Sequence, residues 1–256
     1  MSAGAAVPRE ATPARQEWLR LAAATAEPPR FDPAMITDLP EPARRWLTHA
    51  IAPETPLWPS VQLYMRGQIR IGQWRPFTAR QVLTPPAGYI WAATARLAGL
   101  PVSGYDRLSS STGEMHWRLL RLIPVMTAAG ADVTRSAYGR MAAEIALIPT
   151  AFRQATWAPG EEADTVTATW HYGDDIETAN LRVGGDGRLL EIVVNRWGNP
   201  GGAPFHRCPF GVSVEAEANF GGITIPSRFR AGWWWGTHRQ AEGEFFRARI
   251  THVQFR

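Results

Sequence analysis

From Val61 onward, apolar and polar residues alternate with a period of two. Val61, Leu63, Met65, Ile69 and Ile71 share one parity, and Gln62, Tyr64, Arg66, Gln68 and Arg70 the other. Successive side chains of a strand point to opposite faces, so this stretch predicts a half-buried strand. Similar segments follow at 77–83, 89–97, 102–108 and 115–122. The pattern returns at 165–172, 189–197, 212–220, 223–233 and 245–255. Turn residues punctuate them: Gly72, Pro85-Pro86, Gly99, Pro101 and Gly113, then Gly173-Asp-Asp175 and Gly184-Gly-Asp-Gly187. A Gly/Pro-rich loop is expected over 198–209. Short connections between consecutive strands predict an antiparallel meander of about ten or eleven strands.

One stretch breaks the pattern. In Ser136–Pro149, Tyr138, Met141, Ala142, Ile145 and Ile148 recur at steps of three and four, which predicts an apolar helix face. Pro149 should end that helix. The expected fold is therefore α+β: a large curved antiparallel sheet, a half-barrel, around a central helix at about 134–149. A broad twisted sheet curls, and a helix can occupy its concave side. Upstream, residues 1–13 are small, polar and aperiodic and are expected to be a disordered tail. Residues 14–59 should hold two short helices, packed outside the sheet, and a connection shaped by Pro53, Pro56 and Pro59. Residues 60–256 form the curved-sheet domain.

Composition narrows the functional classes. The 256 residues are 45% hydrophobic and 20% charged, enough for a sizeable core. All 27 basic residues are arginine, and with 23 acidic residues the formal charge is only +4. Arginine is spread along the chain, so no nucleic-acid partner is expected. Cys208 is the single cysteine, which excludes an intramolecular disulfide. His206 and Cys208 lack a second ligand pair, so no metal is expected. No cofactor motif is present: Gly184–Gly187 lies between strands, and there is no nucleophile elbow. No basic start followed by an apolar run is visible, nor a run long enough to span a membrane, so the expected location is cytoplasmic.

Three features carry possible chemistry. Arg140 and Glu144 stand four apart on the predicted helix. They read either as a solvated surface pair or, on a helix that plugs the sheet, as interior charges that need partners. Arg196 shares parity with Leu190, Ile192 and Val194. It points inward toward a carboxylate such as Glu144, or its strand ends first and it reaches solvent. Twelve tryptophans, among them Trp91, Trp117 and Trp170 in strands, form either a large aromatic core or the wall of a pocket for an apolar ligand. Tyr138 joins these candidates from the helix. Consecutive Trp233, Trp234 and Trp235 cannot all face one side of a strand.

Five runs resemble motifs of an uncharacterised bacterial family of unknown function. They are Leu39-Pro-Glu-Pro-Ala-Arg-Arg-Trp-Leu, Gln73-Trp-Arg-Pro-Phe-Thr-Ala, Gly99-Leu-Pro-Val-Ser-Gly-Tyr-Asp, Tyr138-Gly-Arg-Met-Ala-Ala-Glu and Ile148-Pro-Thr-Ala. The resemblance covers about residues 36–255 and is most specific from Tyr138 to Ala151. It implies no activity and no catalytic residue. The layout is also similar to LolA/LolB-like lipoprotein-carrier half-barrels, which implies an apolar ligand held in a concave sheet. Three readings follow. The first is non-enzymatic binding of an apolar or amphipathic, lipid-like small molecule. The second is an enzyme using Glu144 as acid/base and Arg196 as anion clamp. The third is a structural protein without ligand.

Overall fold

The computed structural model describes residues 6–256. Among them, thirteen antiparallel strands form one open, curved sheet. The first six are β1 (Val61–Ile71), β2 (Gln73–Thr84), β3 (Gly88–Leu97), β4 (Leu100–Ser109), β5 (Thr112–Leu119) and β6 (Ile123–Ala129). The rest are β7 (Thr156–Pro159), β8 (Thr165–Tyr172), β9 (Asp175–Val183), β10 (Leu189–Gly198), β11 (His206–Phe220), β12 (Ile223–Trp233) and β13 (Glu244–Phe255). Their order is β6-β5-β4-β3-β2-β1-β13-β12-β11-β10-β9-β8-β7. Each half is a meander, and the two join where β1 pairs with β13.

This order explains the central helix. The first meander ends at one edge of the sheet and the second begins at the opposite edge. Residues 130–155 must therefore cross the whole sheet. They do so as helix α3 (Ala131–Ala143) followed by 3-10 turns at Glu144–Leu147 and Pro149–Gln154. The sequence predicted one helix over 134–149. The α-helix instead starts at Ala131 and tightens after Ala143. Pro149 bars helical backbone at the preceding residue, and Ile148 takes φ −145°. The tighter turns carry Ile145, Ala146 and Leu147 into the core.

Inward residues of β1–β3, including Leu63, Leu83 and Trp91, share one core with α3 and with Ile192, Val194, Phe229 and Ile250 from the second half. Helix α2 (Glu41–Ala50) adds Trp46 and Leu47 to the same core. Helix α1 (Arg15–Leu21) lies on the other face of the sheet, where Ala11, Ala14, Trp18 and Leu21 cover Val82, Ile90, Ala92 and Tyr105.

Three local expectations change. The expected tail over 1–13 is ordered where it is described: a 3-10 helix spans Arg9–Ala14, with Ala11 and Ala14 buried beneath α1. Residues 1–5 lie outside the described residues. The expected loop over 198–209 is shorter, because β11 begins at His206 and places the buried thiol of Cys208 in a strand. Three strands, β6, β7 and β9, lie outside the predicted segments. β9 fills the stretch between the turns predicted at 173–175 and 184–187, while β6 and β7 are short sheet edges, and β6 exposes nearly all its side chains, so neither of these two alternates.

Candidate functional site

Between α3 and the concave face lies a cavity of about 300 Å³. Its walls are mostly apolar: Met65, Leu147, Ile192, Phe229 and Phe246 are among the lining residues, and Trp91 and Trp233 close two sides. The aromatic wall is continuous. Phe77 stacks on Phe246 at 5.0 Å, and Trp91 meets Phe77 at 5.8 Å and Phe246 at 6.0 Å. A smaller cavity of about 100 Å³ is lined by several of the same residues, including Asp106, Ser136, Arg140 and Arg196.

Four charged side chains border the apolar space: Asp106, Arg140, Glu144 and Arg196. Arg140 projects from the last turn of α3. It donates from Nε to Glu144 Oε1 at 2.8 Å and from Nη1 to Asp106 Oδ2 at 3.0 Å. Its guanidinium also lies 4.7 Å from the Tyr89 ring and 5.3 Å from Trp91. Gln81 donates to the second oxygen of Glu144, and Trp117 Nε1 donates to the second oxygen of Asp106 at 2.8 Å. Each oxygen of both carboxylates thus has a donor. Arg140, Asp106 and Glu144 retain side-chain exposures of only 18, 13 and 15%, so the pair predicted on the helix is interior.

Burial has opposite consequences for the two arginines. It works against the charge of Arg140, but Glu144, Tyr89 and Asp106 outweigh it and push the pKa up. Burial likewise pushes the Asp106 carboxyl up, against the pull of Arg140 and Trp117, and raises the Tyr89 phenol to about 12. For Arg196 the pull of Tyr89, Glu144 and Asp106 is too weak, and burial, joined by the like charge of Arg140, pushes it down to about 10. Among the described residues it forms no ion pair. Nε donates to the Ser136 carbonyl at 3.1 Å and Nη2 to the Ser136 hydroxyl at 3.3 Å. The guanidinium sits 4.9 Å from the Phe210 ring and 5.0 Å from Trp233. The sequence left Arg196 two readings, inward toward a carboxylate such as Glu144 or outward to solvent. The side chain does point inward, but Glu144 is bound to Arg140 instead.

The other predicted residues separate. Trp91 lines the cavity. Trp117 stands one layer behind it, with ring centres 5.7 Å apart, and reaches the site through Asp106. Trp170 is buried in the main core and does not line the cavity. Tyr138 stacks on Tyr172 at 4.5 Å, away from the charged group. Of the three consecutive tryptophans, Trp233 lines the cavity, Trp234 turns out through φ 54° beneath Arg239, and Trp235 is buried and donates to Glu191.

Sequence reasoning missed Asp106, Ser136, Phe210 and Gly139. Asp106 had a readable signal, since it shares parity with Val102 and Leu108 in β4, as Arg196 does with Ile192 and Val194 in β10. Gly139 had none. A β-carbon there would stand 2.8 Å from Arg196 Cγ and 3.1 Å from Glu177 Oε2, so glycine is what lets the arginine stem pass beneath α3.

No curated protein matches the chain. Among solved structures, the chain is similar to a LolA superfamily protein from Nitrosomonas europaea. Identity is 10%, the match covers 84% of this chain and 92% of the other, and the TM-score is 0.45. It is also similar to a domain described as an outer membrane lipoprotein-sorting protein from Vibrio parahaemolyticus, at 8% identity, 78% and 86% coverage and a TM-score of 0.42. The sheet and helix order described above rest on the chain's own strand pairing, not on these distant likenesses. The sequence profile of a family of unknown function, DUF6544, matches residues 29–245, most of the chain, and the protein belongs to that family.

Proposed function

We propose that the protein binds an apolar or amphipathic small molecule, non-covalently, in the cavity between α3 and the concave sheet. The observation that carries this reading is the cavity itself: about 300 Å³ of space walled by Met65, Trp91, Leu147, Ile192, Phe229 and Phe246 within the main core. Close packing is the rule in protein interiors, and a space of this size falls at the lower end of small-molecule sites. Acid–base chemistry is the weaker reading. Glu144 accepts from Arg140 on one oxygen and from Gln81 on the other, so both oxygens are already engaged in holding the fold. Among the described residues no helix is long and apolar enough to cross a membrane.

Titration with the fluorescent apolar probe N-phenyl-1-naphthylamine tests the reading. Wild-type protein should give saturable enhancement. The Ala231→Phe variant puts a ring into the cavity from β12 and should abolish the enhancement while leaving the circular dichroism spectrum unchanged. No saturable enhancement by wild type, or equal binding by the filled variant, would sink the proposal.

A further inference from the structure

The cavity is mostly apolar, yet a half-buried arginine, Arg196, stands in its wall with no ion-pair partner among the described residues. Guanidinium groups are planar and present five N–H donors in a fixed fork. In Arg196 the side edge, Nε–H and one Nη2–H, is taken by Ser136. Phe210 and Trp233 stand over the guanidinium plane. What is left is the end edge, Nη1–H with the second Nη2–H, which has no acceptor among the described residues. Nη1 is not sealed off, because it is absent from the buried, unpartnered atoms, and the residue lines both cavities.

A buried cation without a counterion is costly, and proteins pair such groups. The neighbouring carboxylates do not serve Arg196. Asp106 and Glu144 both bond to Arg140, which they share. The Ser136 hydroxyl, which accepts from Arg196, keeps its own proton to donate. Asn199 lines both cavities, is exposed, and makes no side-chain hydrogen bond among the described residues. The Arg196 end is therefore the polar, solvent-side end of the space. Met65, Leu147, Ile192 and Phe229, all buried, give the space its apolar lining.

Resting on the binding function proposed above, we infer that the ligand is an aliphatic carboxylate, its head held end-on by the free fork of Arg196 and its chain in the apolar cavity. Two parallel N–H donors match the two oxygens of a carboxylate. The four charges already at the site, Asp106, Glu144, Arg140 and Arg196, cancel formally, which favours a monoanionic head over a dianion. An ammonium head would meet Arg196 as a like charge.

Calorimetric titration of the purified full chain with dodecanoate and with dodecanol tests the inference. The two share a chain and differ in the head. Dodecanoate should bind about 10- to 100-fold more tightly, the range expected of charge-assisted hydrogen bonds. Arg196→Met should erase that preference and leave dodecanol affinity within about threefold. Arg196→Lys, which keeps the charge and loses the fork, should retain only part of it. Equal affinity of wild type for the two probes would overturn the carboxylate inference and leave the apolar-cavity reading standing. Binding of neither would overturn both. A preference that survives in Arg196→Met would assign the head to another residue and overturn the role of Arg196.

Discussion

Arg196→Met should make the protein more stable. Burial takes the Arg196 guanidinium from its ordinary value down to about 10, and the folded state disfavours its charged form by the corresponding free energy, roughly 3 kcal/mol. Methionine is similarly long and unbranched, fills the space between Phe210 and Trp233, and makes favourable sulfur–aromatic contacts. Against the gain stand two hydrogen bonds to Ser136, worth about 1 kcal/mol each. The net expectation is a stabilisation of about 1 kcal/mol. The sign with pH is fixed. A base whose folded pKa is depressed destabilises the fold at every pH below the folded value, and the penalty fades only as pH rises above about 10. The gain should therefore be the same at pH 6 and pH 8. Urea melts of wild type and variant, compared at unchanged m-value, read it directly. A loss of more than about 1 kcal/mol would refute the reasoning, for it would mean that Arg196 holds the fold together and is not a donor kept free at a cost.

Arg140 is the contrasting case: Arg140→Met strips the shared partner from Asp106 and Glu144 and should cost about 3–5 kcal/mol at pH 7 by urea melt. That cost should shrink toward pH 4, because Asp106, already pushed up by burial, protonates early. Glu144→Gln leaves Asp106 on Arg140 and should cost less, about 1–3 kcal/mol in the same assay. Gly139→Ala should lower stability by about 1–3 kcal/mol despite alanine's better helix propensity, because the new methyl meets the Arg196 stem, and a thermal melt checks it. Deleting residues 1–14 uncovers Val82, Ile90 and Ala92 on the outer face and should lower Tm by several degrees, measured by circular dichroism.

The sheet was legible because its strands are half-buried. In β1 the inward set Val61, Leu63, Met65 and Ile69 is set off by polar neighbours, and the period of two is unmistakable. Strands β6 and β7 carry no such signal: one is exposed almost throughout and contains Pro124, the other has four residues. The ordered Arg9–Ala14 turn was illegible for a different reason. Its burial comes from docking onto Val82 and Ile90, residues remote in sequence, and small alanines leave no periodicity. At the site, parity pointed Arg196 inward correctly, since a charge in phase with Ile192 and Val194 shares their face. Its partners were not readable. Glu144 is one helical turn from Arg140, and that proximity, together with Asp106 from β4, decided the pairing. Tryptophan count announced an aromatic interior but not which rings face the cavity. Trp91 and Trp170 both sit in strands, and only the crossing path of α3 decides which of them borders open space.

The central claim is that the space beneath α3 is a binding site and not a packing defect. Native mass spectrometry of the full chain, purified without added lipid, tests it most directly. The account expects a population heavier than the polypeptide by the mass of a small amphipath. That mass should be lost on denaturation and absent from the filled Ala231→Phe variant. A bare polypeptide mass in wild type, unchanged after incubation with dodecanoate or dodecanol, would contradict it.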